Sequence, residues 1–255
     1  MRRLLLTAVL VACLVAAVAL PGQRADGRIS TPSDVAGVIS ALPRIPVAQA
    51  ATPRRAPLRF TIVDVAGAVV HAHPGGRVLG TIADSTPLGS HSWAWAFTTT
   101  RDHTWAKVGL PWQPNGRTGW VRLGHRARIH TAYWVDADLS QRTLSLMRGR
   151  HRLVLFRAGI GAPVSPTPTG RFYVTDLVAT GDASGPFGWF AFGLSGHQPH
   201  LPPGWSGGNQ LAIHGTNAPW TIGAAASAGC LHVTSAALAT LKRHLRLGSP
   251  VVIHP

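Results

Sequence analysis

Short apolar stretches separated by turn residues dominate this chain, and they leave room for only one clear helix. From residue 58 to about residue 126, β-rich runs alternate with Gly, Pro, Asp and Asn, which indicates strands joined by turns. The same pattern continues after residue 130. The expected strands are residues 60–65, 68–72, 78–82, 105–110 and 119–123, then 132–139, 142–148, 152–157, 171–177 and 211–214. We therefore predict a mainly β protein.

The single helical pattern lies close to the C-terminus. Leu238, Leu241 and Leu245 recur at i, i+3 and i+7, and Thr234 or Ser235 can cap the first turn. This predicts one helix, with a last strand at residues 251–253 after it.

The N-terminal part of the chain has the pattern of an export signal. Residues 4–20 form an uninterrupted apolar run of seventeen residues behind two arginines, which predicts a secretory signal peptide. A run of this length is near the lower limit for spanning a bilayer, so an uncleaved N-terminal anchor is the alternative. Residues 21–57 are rich in Ala, Pro, Arg, Ser and Gly and predict a flexible linker. Two domains are expected to follow, a small β module at 58–126 and a second domain at 130–254.

The charge is strongly one-sided. Twenty-four Lys and Arg against nine Asp and Glu give a formal charge of +15, which favours an anionic partner. The arginines are spread along the chain, and no basic run is interleaved with aromatic residues as in a nucleic-acid groove. With an export signal present, we expect an anionic cell wall as the partner, a place in the cell envelope, and no nucleic acid.

One thiol stands alone in the expected mature protein. Cys13 lies in the apolar run, so Cys230 has no intramolecular disulfide partner and forms an intermolecular pair, is a buried inert thiol or is a reactive thiol. His214 ends an apolar run and is a candidate base, and the Gly215 carbonyl can approach its ring and fix its tautomer. No acidic residue is near in sequence, although Asp176 or Asp182 could come from elsewhere in the fold.

Gly229 precedes the thiol and allows a close turn of the backbone. Such a turn can aim the amides of Gly229 and Cys230 at a developing oxyanion. The chemistry predicted by these residues is acyl transfer through a thioester.

Four ordered motifs resemble the catalytic domain of L,D-transpeptidases. They are Thr167-Pro-Thr-Gly170-Arg-Phe172, His214-Gly-Thr216, Ser227-Ala-Gly-Cys230-Leu and Gly248-Ser-Pro-Val-Val-Ile253. The resemblance covers residues 132–254 and implies a mostly β fold with the nucleophilic cysteine just before a helix. It also implies that the enzyme acts on peptidoglycan stem peptides, releases D-alanine, and needs neither metal nor cofactor.

The resemblance also implies roles for individual residues. Cys230 is the expected nucleophile, His214 the base, and the Gly215 carbonyl the group that orients His214. The substrate-binding candidates are Thr216, Ser227 and His232.

Two positions depart from the family pattern. The family usually has a histidine directly before the Gly-Cys pair, where this chain has Ala228, and Arg or Asn where it has His232. His232 either restores a polar or cationic contact or is a solvated residue at the helix start. The alternatives to a transpeptidase are an L,D-carboxypeptidase that uses water as acceptor and a degenerate protein that only binds the wall.

The remaining features are typical of ordinary surface or core residues. Residues 104–111 and 114–121 resemble a bacterial SH3-like module. His71 and His73 share one predicted strand face but lack a third ligand nearby, so we expect no metal site. His197 and His200 lie in a Gly- and Pro-rich stretch and are expected at the surface. The tryptophans that could line a peptide groove or serve as core or loop anchors are Trp189, Trp205 and Trp220.

Overall fold

The computed structural model describes residues 57–112 and 114–255, and in this part of the chain the fold is mainly β, as predicted. The predicted signal or anchor at 1–20, with Cys13 in it, and nearly all of the linker at 21–57 lie outside the described residues. Among the described residues, no helix is both long and apolar enough to cross a bilayer.

The first large sheet has seven strands, and every pair in it is antiparallel. Its spatial order is β3-β2-β6-β5-β4-β1-β7. The strands are β1 Phe60–Asp64, β2 Val69–His71, β3 Val78–Thr81, β4 Trp93–Thr99, β5 Trp105–Gly109, β6 Thr118–Arg122 and β7 Arg128–Thr131. Because β7 pairs with β1, this sheet extends beyond residue 126 to Thr131.

The second large sheet has eight strands in the order β10-β9-β8-β17-β12-β13-β14-β16. It is mixed, since β17 runs parallel to β8 and β14 runs parallel to β16. The strands are β8 Tyr133–Asp138, β9 Thr143–Arg148, β10 His151–Arg157, β12 Gly170–Ala179, β13 Phe190–His197, β14 Gln210–His214, β16 Leu231–His232 and β17 Pro250–His254. Two short strands, β11 Ile160–Gly161 and β15 Ala225–Ser227, pair separately in parallel.

The predicted helix is present and packs on the second sheet. It is α1, Ser235–Lys242, and the side chain of Thr234 caps it by accepting a hydrogen bond from the Ala237 amide at 3.2 Å. Leu238 and Leu241 are buried in the core of the second sheet. Leu245 was predicted to lie in the helix, but it lies beyond the end of α1 and is still buried.

Six strands of the described residues were absent from the sequence prediction: β4, β7, β11, β13, β15 and β16. The two longest are β4 and β13, and the sequence of β13 contains two glycines. A side chain at Gly193 would meet the side chains of Asp176 and Gln210 within 3.0 Å, so this glycine serves close packing and not a turn. His197, expected at the surface, is the last residue of this interior strand and is half-buried.

The two large sheets contact each other through β12. Tyr173 is buried in the core of the first sheet, and its hydroxyl lies 3.3 Å from the Gly109 carbonyl oxygen. The Asn115 amide group donates to the His197 carbonyl at 2.6 Å and accepts from the His197 amide at 2.8 Å. These contacts join the sheets within one compact unit.

Candidate active site

The predicted reactive residues meet at one edge of the second sheet. His214 is the last residue of β14 and pairs with His232, the last residue of β16, in a parallel register. Cys230 immediately precedes β16 and lies two positions before His232, so period-two alternation puts both side chains on the same face of the strand. The imidazole rings of His214 and His232 have their centroids 4.7 Å apart.

His214 is buried and held by its neighbour in the chain. Its Nδ1 lies 2.5 Å from the Gly215 carbonyl oxygen. Because a carbonyl can only accept, Nδ1 carries the proton and Nε2 keeps the lone pair that a base needs. The Phe187 ring and the imidazole pack in a T-shaped arrangement, with centroids 4.9 Å apart.

Burial keeps the His214 imidazole neutral. Burial, with a smaller contribution from the neighbouring His232, lowers the pKa of His214 to about 4, although the hydrogen bond to Gly215 opposes the shift. At neutral pH the ring is therefore available as a proton acceptor and not as a cation.

The thiol is also neutral at rest. Burial raises the pKa of Cys230 to about 11, and a hydrogen bond with the Ala212 backbone offsets this only in part. A preformed thiolate and imidazolium pair is thus disfavoured by both groups. The arrangement favours general-base chemistry, in which the thiol proton leaves as the sulfur attacks.

A tight turn presents the thiol. The Ser227 hydroxyl donates to the Cys230 carbonyl at 2.6 Å and accepts from the Gly229 amide at 3.1 Å. Gly229 has φ +116°, a region that favours glycine. The Gly229 amide is therefore engaged inside the turn. Among residues 57–112 and 114–255, the Cys230 amide has no such partner, which leaves it as the better oxyanion donor of the predicted pair.

Two buried polar residues support this turn from beneath. The side-chain amide of Gln198 donates to the Pro166 carbonyl at 2.9 Å and lies 3.4 Å from the Ala228 carbonyl oxygen. The Ser165 hydroxyl lies 3.0 Å from the same Ala228 oxygen. Sequence reasoning missed both residues. Ser165 had one usable signal, its position just before the Thr167 motif, whereas Gln198 had none.

His232 does not lie at the solvated start of the helix. It is half-buried in β16, and its backbone exchanges two hydrogen bonds of 2.9 Å with Gly159. Its Nδ1 lies 3.3 Å from the Thr221 hydroxyl, which itself donates to the Ala218 carbonyl at 2.7 Å. Since that hydroxyl has only one proton, it accepts from Nδ1–H of His232. Burial lowers the pKa of His232, so the contact it offers is polar and not cationic.

The remaining predicted site residues have mainly local roles in the resting structure. The Thr216 hydroxyl accepts from the Ala218 amide at 2.9 Å and stabilises the entry to a short 3-10 turn, Pro219–Thr221. Trp220 is 79% exposed and Trp205 is 42% exposed, whereas Trp189 packs against the core.

The two aspartates considered as partners for His214 lie elsewhere. Asp176 is fully buried, where it accepts from Gln210 at 3.0 Å and from the Thr86 hydroxyl. Asp182 accepts from Ser184 in an exposed turn. In the described part of the chain the only hydrogen-bond partner of the His214 ring is the Gly215 carbonyl.

The histidines considered for metal binding do not share a strand. His71 ends β2 and contacts the Gly76 carbonyl through Nδ1 at 2.7 Å, whereas His73 lies in the turn that follows. Among the described residues, no cluster of three or more His, Cys, Asp or Glu side chains is suited to hold a metal ion.

The part of the chain that forms the second sheet is similar to known proteins. Residues 132–253 match the YkuD family, described as the L,D-transpeptidase catalytic domain, which confirms the resemblance found in the sequence. The chain is 29% identical over 122 residues to the YkuD protein of Bacillus subtilis strain 168, and 32% identical over 124 residues to that of Bacillus licheniformis. Both relatives are named as L,D-transpeptidases, and each match covers 48% of this chain and 66% of the relative.

Solved structures give a more distant likeness. An L,D-transpeptidase from Mycobacterium smegmatis is 16% identical, with 79% of this chain and 100% of that chain covered and a TM-score of 0.40. L,D-transpeptidase 3 from Mycobacterium tuberculosis is 17% identical, with 65% and 92% covered and a TM-score of 0.40.

Proposed function

We propose, on the basis that residues 132–253 match the L,D-transpeptidase catalytic domain, that this protein is an exported peptidoglycan L,D-transpeptidase. Cys230 forms a thioester with a donor stem tetrapeptide and releases the terminal D-alanine. The observation that supports this most directly is the His214 ring, which is held neutral with Nδ1–H on the Gly215 carbonyl and is paired across the sheet edge with the strand that follows Cys230.

The first half of the reaction needs one base and one oxyanion donor. His214 Nε2 takes the thiol proton while Sγ of Cys230 attacks the carbonyl carbon after the third residue of the stem. The Cys230 amide donates to the oxygen that becomes negative. Collapse breaks the peptide bond to D-alanine, and His214 returns its proton to the departing amine.

The second half regenerates the thiol. A side-chain amine of a neighbouring stem attacks the thioester carbon and loses its proton to His214, and the sulfur leaves and takes the proton back. Water in place of the amine gives a carboxypeptidase. Neither half needs a metal or a cofactor. The positively charged chain assists retention on an anionic wall, and export through residues 1–20 places it there.

Intact-mass spectrometry of the purified full chain with a disaccharide tetrapeptide tests this proposal. We expect a transient adduct on the wild type, free D-alanine, and cross-linked dimer when an amine acceptor is present. Cys230→Ala should abolish the adduct, whereas the matched variant Cys13→Ser should retain it. His214→Gln should slow adduct formation by about 100-fold or more.

The outcomes separate the candidate functions. Tripeptide without dimer would identify the carboxypeptidase. No adduct on folded protein would contradict an enzymatic role and favour a wall-binding protein that has lost activity, for which Ala228 is the specific reason.

A further inference from the structure

A pocket of about 460 Å³ lies where the two large sheets meet, away from the thiol. We call it the inter-sheet pocket and define it by Trp93, Trp112, Tyr173, His197, Asn209 and Gln210. The two tryptophans come from the first sheet and the loop after β5, and the other four residues come from the second sheet or the loop before β14. The pocket therefore exists only when both sheets are present.

The chemistry of the lining is neutral. None of the described residues that line the pocket is Lys, Arg, Asp or Glu, although the whole chain has a formal charge of +15. The lining combines half-buried indole rings with hydroxyl and amide side chains, among them Ser92, Asn209 and Gln210. In the described part of the chain, neither Trp93 nor Trp112 donates its indole N–H to a protein acceptor. Apolar ring faces beside free donors suit a ligand that has both C–H faces and hydroxyl or amide groups.

One lining residue has a buried polar atom without a partner. Nδ1 of His197 is inaccessible to solvent and makes no hydrogen bond with any described residue. The Asn115 side chain forms hydrogen bonds with both the amide and the carbonyl of His197, which fixes the position of its backbone. A buried polar atom left unpaired lowers stability, so His197 holds its place in the pocket wall at a cost, and only its other ring nitrogen, Nε2, is open to a ligand.

The pocket is connected to the candidate active site by one strand. Gln210 begins β14 and His214 ends it, and Gln210, Ala212 and His214 share one face because side chains alternate along a strand. The backbone of Ala212 contacts the Cys230 thiol. At a rise of about 3.3 Å per residue, the pocket end of β14 is roughly 13 Å from its catalytic end.

We propose that the inter-sheet pocket binds a neutral, acetamido-bearing saccharide, the glycan part of the polymer whose stem peptides reach Cys230. This inference rests on the proposed function. The stem peptide itself fits less well, because its carboxylates and amine would find no charged partner in the lining. Neutral sugar rings can stack on the open indole surface of Trp93 and Trp112, and their amide or hydroxyl groups can pair with Nε2 of His197 and the Asn209 side chain.

Titration of the full chain with an N-acetylglucosamine tetramer tests the proposal, with heteronuclear NMR of the indole N–H groups as readout. We expect saturable shifts at Trp93 and Trp112, no shift at the exposed Trp220, and a Kd on the order of 1 mM. A cellulose tetramer, which lacks acetamido groups, should bind at least tenfold more weakly. This experiment needs no variant, so it does not depend on a substitution that folds.

Variants localise the binding. Trp93→Leu and His197→Leu should each raise the Kd of the N-acetylglucosamine tetramer by about tenfold or more. The matched variant Trp220→Leu should leave this Kd unchanged. Absence of saturable shifts in the wild type would overturn the proposal. So would equal binding of the cellulose tetramer, or displacement of the sugar by free stem tetrapeptide at the same indoles.

The test is separable from the proposed enzymatic function. Cys230→Ala should lose the acyl adduct and keep saccharide binding, because the thiol does not line the pocket. A wild-type protein that forms the adduct but does not bind the sugar would overturn this inference alone. A protein that binds the sugar but forms no adduct would overturn the proposed enzyme and leave the saccharide site standing.

Discussion

The two large sheets differ in how far each depends on the other. The hydrophobic core of the second sheet is built only from residues after 132. The core of the first sheet includes Tyr173 from β12, and Val252 from β17 packs against it. The first sheet is therefore completed by the second, while the second closes its own core. In this arrangement the second sheet, with the candidate active site at its edge, can stay folded when the first sheet is destabilised.

The largest expected effect is from truncation of the residue that the two sheets share. Tyr173→Ala should lower the free energy of unfolding by about 3–5 kcal/mol, since it removes a fully buried aromatic ring. Urea unfolding should then show the first sheet melting before the second. The control Tyr173→Phe removes only the hydroxyl contact with Gly109 and should lower it by about 1 kcal/mol. A single transition with both sheets equally affected would contradict the asymmetry.

The second prediction concerns the pH dependence of stability, which we expect to arise in the second sheet. The histidines whose pKa values are lowered by burial, His197, His214 and His232, all lie in its strands. For His214 the pKa falls from 6.5 to about 4. Below pH 6.5 the His214 ring is therefore protonated in the unfolded chain but stays neutral in the folded chain until the pH approaches 4. Stability is thus complete above pH 6.5 and is lost as the pH falls towards 4. At 1.36 kcal/mol per pKa unit, His214 contributes roughly 3 kcal/mol to this loss.

Unfolding experiments at pH 7.5 and 4.5 check this contribution. His214→Gln should reduce the difference in the free energy of unfolding between the two pH values by most of the His214 contribution. The matched variant His91→Gln, near the first sheet, should leave the His214 contribution in place. An unchanged pH dependence in His214→Gln would show that the buried ring is not the cause.

A smaller effect is expected at the turn that carries the thiol. Gly229→Ala puts a side chain at φ +116°, and its Cβ would lie 2.2 Å from Nε2 of Gln198. We expect a loss of about 1–3 kcal/mol and slower alkylation of Cys230. The matched variant is Gly89→Ala near the first sheet, with φ +84° and nothing within 4 Å of the new Cβ. If both variants lose equal stability, Gln198 does not constrain the turn.

The sequence predicted the local features of the site better than its surroundings. The cap at Thr234 and the strand ending at His214 depend on neighbouring residues, and both were visible as short patterns. The burial of His232 depends on Gly159 and Thr221, which are distant in sequence. No periodicity encodes such a contact.

The missed strand β13 shows the same limit for the fold. Glycines are typical of turns, and the packing partners that explain the two in β13 lie on other strands. The position of Tyr173 in the core of the first sheet was equally unpredictable, since alternation shows which face a residue occupies but not which sheet covers it.

The smallest predicted effect concerns a contact at the boundary between the sheets. The Arg171 guanidinium, on β12, lies 4.3 Å from the ring centroid of Trp95 and 4.1 Å from that of Phe97, both on β4. Arg171→Gln should lower the free energy of unfolding by about 0.5–1 kcal/mol, because Arg171 is largely exposed and the cation-π attraction is screened.

The control for Arg171 is a contact made inside the second sheet. Arg148 lies 5.9 Å from the Tyr133 ring centroid, so Arg148→Gln should change stability less. Differential scanning calorimetry can resolve whether Arg171→Gln lowers only the first of two transitions. If Arg171→Gln lowers the midpoint temperature of the second transition instead, β12 is stabilised by the first sheet. The second sheet would then depend on the first, opposite to what we expect.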